Sequence, residues 1–126
     1  MLFRSDLTVA AIQNRAGVYV EPSVASVSAA LDASSEVLGK DVRTPIVDPP
    51  ASAKDAYPIS GVTFLLIPKD GSNELDRKTL KAFAEYAVTE GQAATEGLYY
   101  AKLPKTVQDE NLKSISEMTT NGQPTK

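Results

Sequence analysis

The side chains able to do chemistry are few here, and the missing ones decide most of the reading. The sequence holds no Cys and no His. No thiol nucleophile, no Ser-His-Asp triad and no zinc centre built on Cys or His can therefore be assembled. For anion chemistry there remain Arg4, Arg15, Arg43 and Arg77, because a planar guanidinium grips oxyanions in bidentate fashion. Their spacing brings no two together, and all four are expected as solvated surface charges. Pro68-Lys69-Asp70-Gly71-Ser72 has loop character, but an anion cradle needs several inward N–H groups, often from a Gly-rich turn at a helix start. A single Gly favours a plain strand-to-helix turn. Glu85, Glu90 and Glu96 offer carboxylates for acid–base work, yet without a metal or a perturbing partner they read as the solvent face of an amphipathic helix. Tyr57, Tyr86, Tyr99 and Tyr100 offer rings for stacking on sugar or base; core packing is the expectation. No catalytic, cofactor, metal or phosphate-binding residue is assigned, and no cofactor is implied.

The elements that would position such residues fit one domain's worth of chain. With 126 residues, 42% of them hydrophobic, the chain can bury a core and is not compositionally disordered. A net charge of −3 and no clustered basic surface argue against nucleic acid and against an anionic membrane surface. Met1–Asp6 lacks the apolar stretch of a secretory signal. The longest strongly apolar run, Val62 to Ile67, falls far short of a membrane span. Composition alone therefore reads as a cytoplasmic, soluble chain.

Val9, Ile12, Val18 and Val20 form a short apolar opening broken at Gly17. A helix is expected from Glu21-Pro22, with Pro at its first position, Val24, Val27 and Leu31 at helical spacing, and Gly39 as its stop. Residues 40–57 carry Pro45, Pro49 and Pro50 and lose all periodicity, so they read as a long connector and a boundary between two units making few mutual contacts. Val62-Thr63-Phe64-Leu65-Leu66-Ile67 is expected as a strand covered on both faces. Such a strand needs neighbours, and the sequence offers almost none. It would leave the isolated chain unstable or sticky. A further helix is expected with Asp76 as cap and Leu80, Phe83, Ala84, Ala87 and Val88 on one face. Gly91 ends or kinks it, and a short helix follows over 92–96. Leu103-Pro104 opens a last helix with Val107, Leu112, Ile115 and Met118 apolar, and residues 121–126 are expected to fray.

Four pieces of this chain follow one another in a set order and spacing. The first is Ala11-Ile12-Gln13-Asn14-Arg15-Ala16-Gly17 with Val20-Glu21-Pro22-Ser23. The second is Asp55-Ala56-Tyr57-Pro58-Ile59-Ser60-Gly61-Val62-Thr63-Phe64-Leu65-Leu66-Ile67-Pro68-Lys69-Asp70. Phe83-Ala84-Glu85-Tyr86-Ala87 with Thr89-Glu90-Gly91-Gln92 is the third, and Leu98-Tyr99-Tyr100-Ala101-Lys102-Leu103-Pro104 the fourth. Together they resemble the phosphate-binding proteins of phosphate ABC transporters, the PstS family.

The resemblance implies an α/β chain, the C-terminal part of a bilobed periplasmic-binding-protein fold of type II. Residues 1–54 would end the second lobe and include the connector. Residues 55–126 would return to the first lobe with strand 62–67 and its covering helices, and Tyr57-Pro58 would sit near the crossover. It implies capture of inorganic phosphate outside the membrane and delivery to the permease subunits, in the periplasm or as an extracytoplasmic lipoprotein, with no enzymatic step. The family's phosphate-contacting motifs, among them an Arg followed by Ser-Gly-Thr, have no counterpart here, so the chain would be a fragment supplying scaffold and hinge. Met1–Asp6 would be the edge of a truncated frame. Two other readings stand beside this one: a stand-alone α/β interaction domain, and a binding protein for another oxyanion such as sulfate or molybdate.

Overall fold

The computed structural model describes residues 8–125. The expectations placed on Met1–Asp6, Arg4 among them, lie outside the described residues. In chain order the elements are β1 (Ile12–Gln13), β2 (Tyr19–Val20), α1 (Val24–Ala33), α2 (Ser35–Leu38) and α3 (Glu74–Val88). Two short 3-10 helices follow at Glu90–Ala94 and Glu96–Leu98, then α4 (Lys105–Ser116), β3 (Thr119–Thr120) and β4 (Gln123–Pro124). The fold is mixed helix and strand, compatible with the α/β class. Among the described residues the sheets are two antiparallel hairpins, with Ile12 opposite Val20 in one and Thr119 opposite Pro124 in the other.

Polar side chains set the ends of these elements. Asn14 shapes the first hairpin: its Oδ1 accepts from the N–H groups of Ala16 and Val18, and Gly17 takes the left-handed φ of +80° that closes the turn. α1 starts at Val24 rather than at Pro22, because Ser23 and Ser26 form a reciprocal capping box. α3 starts at Glu74 because Asn73, not Asp76, is the cap; its Oδ1 accepts from the N–H groups of Leu75 and Asp76. Asp76 instead lies in the first turn, where its charge suits the helix dipole. α4 follows Pro104 as expected.

Two hydrophobic clusters hold the chain together. Leu31, Leu38, Ile46 and Val107 form the first, with Val27, Val42, Val62, Ala101 and Leu103 against it. It joins residues from both sides of 40–57, so the expectation of few mutual contacts across the connector is not met. The reason lies in the connector's own apolar residues: Ile46 and Ala56 are buried, and Tyr57 N–H donates to the Ser26 carbonyl at 3.1 Å. The second cluster, Ala84, Ile115 and Met118 with Ile67 and Val88, packs α3 on α4.

Three further expectations are corrected. Residues 62–67 form no strand: among the described residues none pairs with them, and their backbone enters no hydrogen bond there. On α3 the buried stripe runs through Arg77, Ala84 and Val88, while Leu80 and Phe83 face outward. α4 covers the former stripe, and no described element covers the latter. Residues 121–125 do not fray. Asn121 and Gly122 take φ of 50° and 74°, the pairing expected of a two-residue Asn-Gly hairpin turn. Thr125 is buried, with its N–H on the Met118 carbonyl at 2.9 Å and its carbonyl accepting from Lys81 Nζ at 2.8 Å.

Candidate functional site

The loop 68–72 was the one candidate anion cradle, and its geometry shows what occupies it instead. Asp70 turns its carboxylate onto the C-terminal hairpin, accepting from Thr119 Oγ1 at 2.6 Å and from the Gly122 N–H at 3.0 Å. These bonds, with a smaller contribution from the Gly71 N–H and the Arg77 charge, hold its carboxyl below the ordinary range. The Thr119 hydroxyl and the Gly122 N–H are thus taken by an anion of the chain itself. The first turn of α3 is capped by Asn73 and carries Glu74 and Asp76, which repel a phosphate. The shallow depression beside the hairpin is lined by Glu74, Thr120, Asn121, Gln123, Pro124 and Thr125, so its charged lining residue is again an acid.

Arg77 departs most from expectation. It is not a solvated surface charge but 4% exposed, donating from Nε to the Thr119 carbonyl at 3.1 Å and from a terminal guanidinium nitrogen to the Lys69 carbonyl at 2.8 Å. Gly71 lies against its stem: a Cβ there would meet Arg77 Cδ at 2.7 Å. Arg77 therefore clamps the loop to the hairpin and has no free face for an oxyanion. Arg15 and Arg43 are exposed, as expected, and pair with Asp48 at 2.8 Å and Asp41 at 2.9 Å. The side-chain bond from Arg43 lowers Asp41 to about 2.

The remaining candidates are scattered. Glu90 and Glu96 are exposed and Glu85 half-buried; Glu96 pairs with Lys102 at 3.2 Å. Tyr86, Tyr99 and Tyr100 are exposed rather than in the core, while Tyr57 is half-buried. Among the described residues no three of His, Cys, Asp and Glu are placed to hold a metal, and no helix is long and apolar enough to cross a membrane.

The feature left unaccounted for is apolar. Val62 rests on the first cluster and Ile67 on the second, so 62–67 spans the gap as a strap. Its middle stands in solvent: Phe64 is 51%, Leu65 60% and Leu66 90% exposed. Ile59 before it is exposed too, and so on α3 are Leu75, Phe83 and Tyr86. Exposed apolar surface on this scale marks a surface built to be covered. The sequence carried a sign of it, since a two-sided apolar run calls for partner strands and almost no other convincing one is present in the sequence.

No protein-family model matches the chain, and no solved structure matches it. Curated proteins do. Over 101 residues, 80% of this chain, it is 31% identical to the phosphate-binding protein PstS of Xylella fastidiosa strain Temecula1 and 30% identical to that of strain 9a5c. Over 104 residues, 82% of the chain, it is 29% identical to the phosphate-binding protein PstS of Haemophilus influenzae. The matched stretch is 27% of each Xylella protein and 30% of the Haemophilus one. The motif resemblance and these relatives agree that the chain is PstS-like, and it spans less than a third of the relatives' length.

Proposed function

We propose that this chain serves phosphate uptake as the scaffold and hinge portion of a PstS-like binding protein. The similarity over 101 residues to a phosphate-binding protein supports the reading. In it, the complete protein captures inorganic phosphate outside the membrane, in the periplasm or as an extracytoplasmic lipoprotein, and delivers it to the permease subunits of an ABC importer. No chemical step is catalysed. Residues 1–54 close the second lobe of a bilobed type II fold and 55–126 return to the first, with the first cluster, Leu31 and Leu38 against Val107, packed across their junction. The bond from Asp48 N–H to the Pro58 carbonyl at 2.8 Å then lies at the crossover, where lobe closure needs a defined pivot. Phosphate is held by residues outside this chain, in keeping with a loop 68–72 that turns the Asp70 carboxylate onto the hairpin.

A chimera tests this. The 101 matched residues of the Xylella fastidiosa protein are replaced by the corresponding part of this chain, and phosphate binding is measured by calorimetry. Retained one-to-one binding is expected, with no binding by the 126-residue chain alone. A folded chimera that has lost phosphate, or an isolated chain that binds it at micromolar level, overturns the reading.

A further inference from the structure

The turn between β3 and β4 carries a chemistry of its own. Asn121-Gly122 is the one Asn-Gly step in the sequence, and both residues are exposed. The side-chain amide of an asparagine is open to attack by the backbone nitrogen of the next residue, and a glycine there has no Cβ to shield that nitrogen. Asn14, Asn73 and Asn111 are followed by Arg, Glu and Leu instead. In the attack the Gly122 nitrogen bonds to Asn121 Cγ. Its proton leaves with the side-chain nitrogen as ammonia, and a five-membered succinimide remains. Water then opens the ring at one carbonyl to give aspartate, or at the other to give isoaspartate, whose backbone is longer by one carbon. Water is the sole co-reactant, and nothing is oxidised or reduced.

The fold holds this reaction back. The Gly122 N–H donates to Asp70 Oδ1 at 3.0 Å. The nitrogen must shed that proton to attack, and the charge so formed would face a carboxylate. The Asp70 carboxyl is itself held below the ordinary range, which makes it a poor base for an amide proton. The other reacting group is tied as well: Asn121 Nδ2 donates to the Ser72 carbonyl at 3.3 Å, and the Asn121 N–H to the Gly71 carbonyl at 2.9 Å. All three partners lie in residues 70–72. One movement, the hairpin lifting from that loop, therefore frees both reacting groups together.

We propose that Asn121 is a modification site, deamidated spontaneously whenever the hairpin lifts from residues 70–72, with Asp70 as its guard. The product does not settle back. Isoaspartate adds a backbone atom to a two-residue turn, which breaks the register of Thr120 opposite Gln123. Either product removes the donor on the Ser72 carbonyl and puts a second carboxylate into the turn that Asp70 grips. Thr119 on β3 supplies one of the two carbonyls that hold Arg77. The modification thus converts a transient opening into a lasting loosening of the clamp.

The full 126-residue chain is incubated at mildly alkaline pH, folded and in urea, and peptide mass spectrometry follows conversion of amide to acid. In urea, Asn121 should convert well ahead of Asn14, Asn73 and Asn111. In the fold it should slow by about tenfold or more, and by the same factor as hydrogen exchange of the Gly122 amide, since both need that N–H released. Asp70→Ala should restore most of the lost rate. Asp70→Asn, which keeps an accepting oxygen, should stay near wild type. Thr119→Val removes the other donor on Asp70 and leaves the Gly122 bond, so it should stay slow too. The purified deamidated protein should unfold at lower urea, with faster exchange at residues 119–123. Equal rates in the fold and in urea, no preference for Asn121 in urea, or Thr119→Val as fast as Asp70→Ala each overturns the proposal. The match between deamidation and exchange needs no variant, so a mismatch overturns the guard even where Asp70→Ala does not fold. A deamidated protein with an unchanged midpoint overturns the loosening.

Discussion

Residues 62–67 and residues 69–77 are neighbours in sequence and opposites in structure. The first stretch is the most apolar in the chain, yet Leu66 is 90% exposed and its backbone is bonded to nothing described. The second is a polar loop running into a helix, yet it buries Arg77 at 4% exposure and bonds that guanidinium to two carbonyls. Apolar character drives burial only when there is something to be buried against. Local polar groups satisfy one another without outside help, so a segment short of partners keeps its polar junctions and exposes its hydrophobic interior.

Breaking the junction gives the largest expected effect. Arg77→Ala leaves the Lys69 and Thr119 carbonyls without their donor and opens space beside Gly71. Hydrogen bonds to a charged group and unsatisfied buried acceptors are each worth roughly 1–3 kcal/mol, so a loss of about 2–4 kcal/mol is expected. Urea denaturation of the two proteins reads it. An unchanged midpoint would show that the clamp contributes nothing.

The anchored end of the strap comes next. Ile67 packs against Ala84, Ile115 and Met118 and is half-buried. Ile67→Ala should therefore cost about 1–2 kcal/mol, less than a fully buried truncation. A cost near zero would mean that the strap is held at Val62 alone, and the contrast between anchor and middle would disappear.

Asp70 tests the junction through pH. Thr119 Oγ1 and the Gly122 N–H stabilise its ionised form in the fold, so the unfolded chain takes up its proton more readily. The stabilisation is complete above the unfolded pKa and is lost as pH falls through the lower, folded one. Wild-type protein should thus lose thermal midpoint on acidification below the ordinary aspartate range more steeply than Asp70→Asn. The two profiles should converge in acid. A gap that stays constant across pH would show that the hydrogen bonds, not the charge, carry the effect.

Much of the helical framework was legible. Pro104 before α4, and Val107, Ile115 and Met118 along and just past it, follow from periodicity and helix-start chemistry. Caps were misjudged by a few residues because Ser23 and Asn73 compete with nearby Pro22 and Asp76, and side-chain geometry decides between them. The C-terminal hairpin does carry a signal in the sequence, Asn121-Gly122 between short polar flanks. Burial of Arg77 had none, since its partners are carbonyls of residues 69 and 119 brought together only by the fold. For the strap, the run Val62 to Ile67 read as an interior strand and its lack of partners was also visible. The pairing failed for the reason the composition gave. In the loop, nothing in the sequence signalled that Asp70 would accept from Thr119 and Gly122.

The smallest effect is the most informative about the comparison. Leu66→Ala removes a large aliphatic side chain from the most apolar run of the sequence, a change that costs about 2–5 kcal/mol in a packed core. In the free chain the side chain is 90% exposed, so the fold has almost nothing to lose, and the midpoint should move by no more than about 0.5 kcal/mol. Solubility should improve, because the exposed row Phe64-Leu65-Leu66 is a template for association. A cost of core size in the isolated chain would mean that the strap is covered in solution, by a second copy or by residues closing over it.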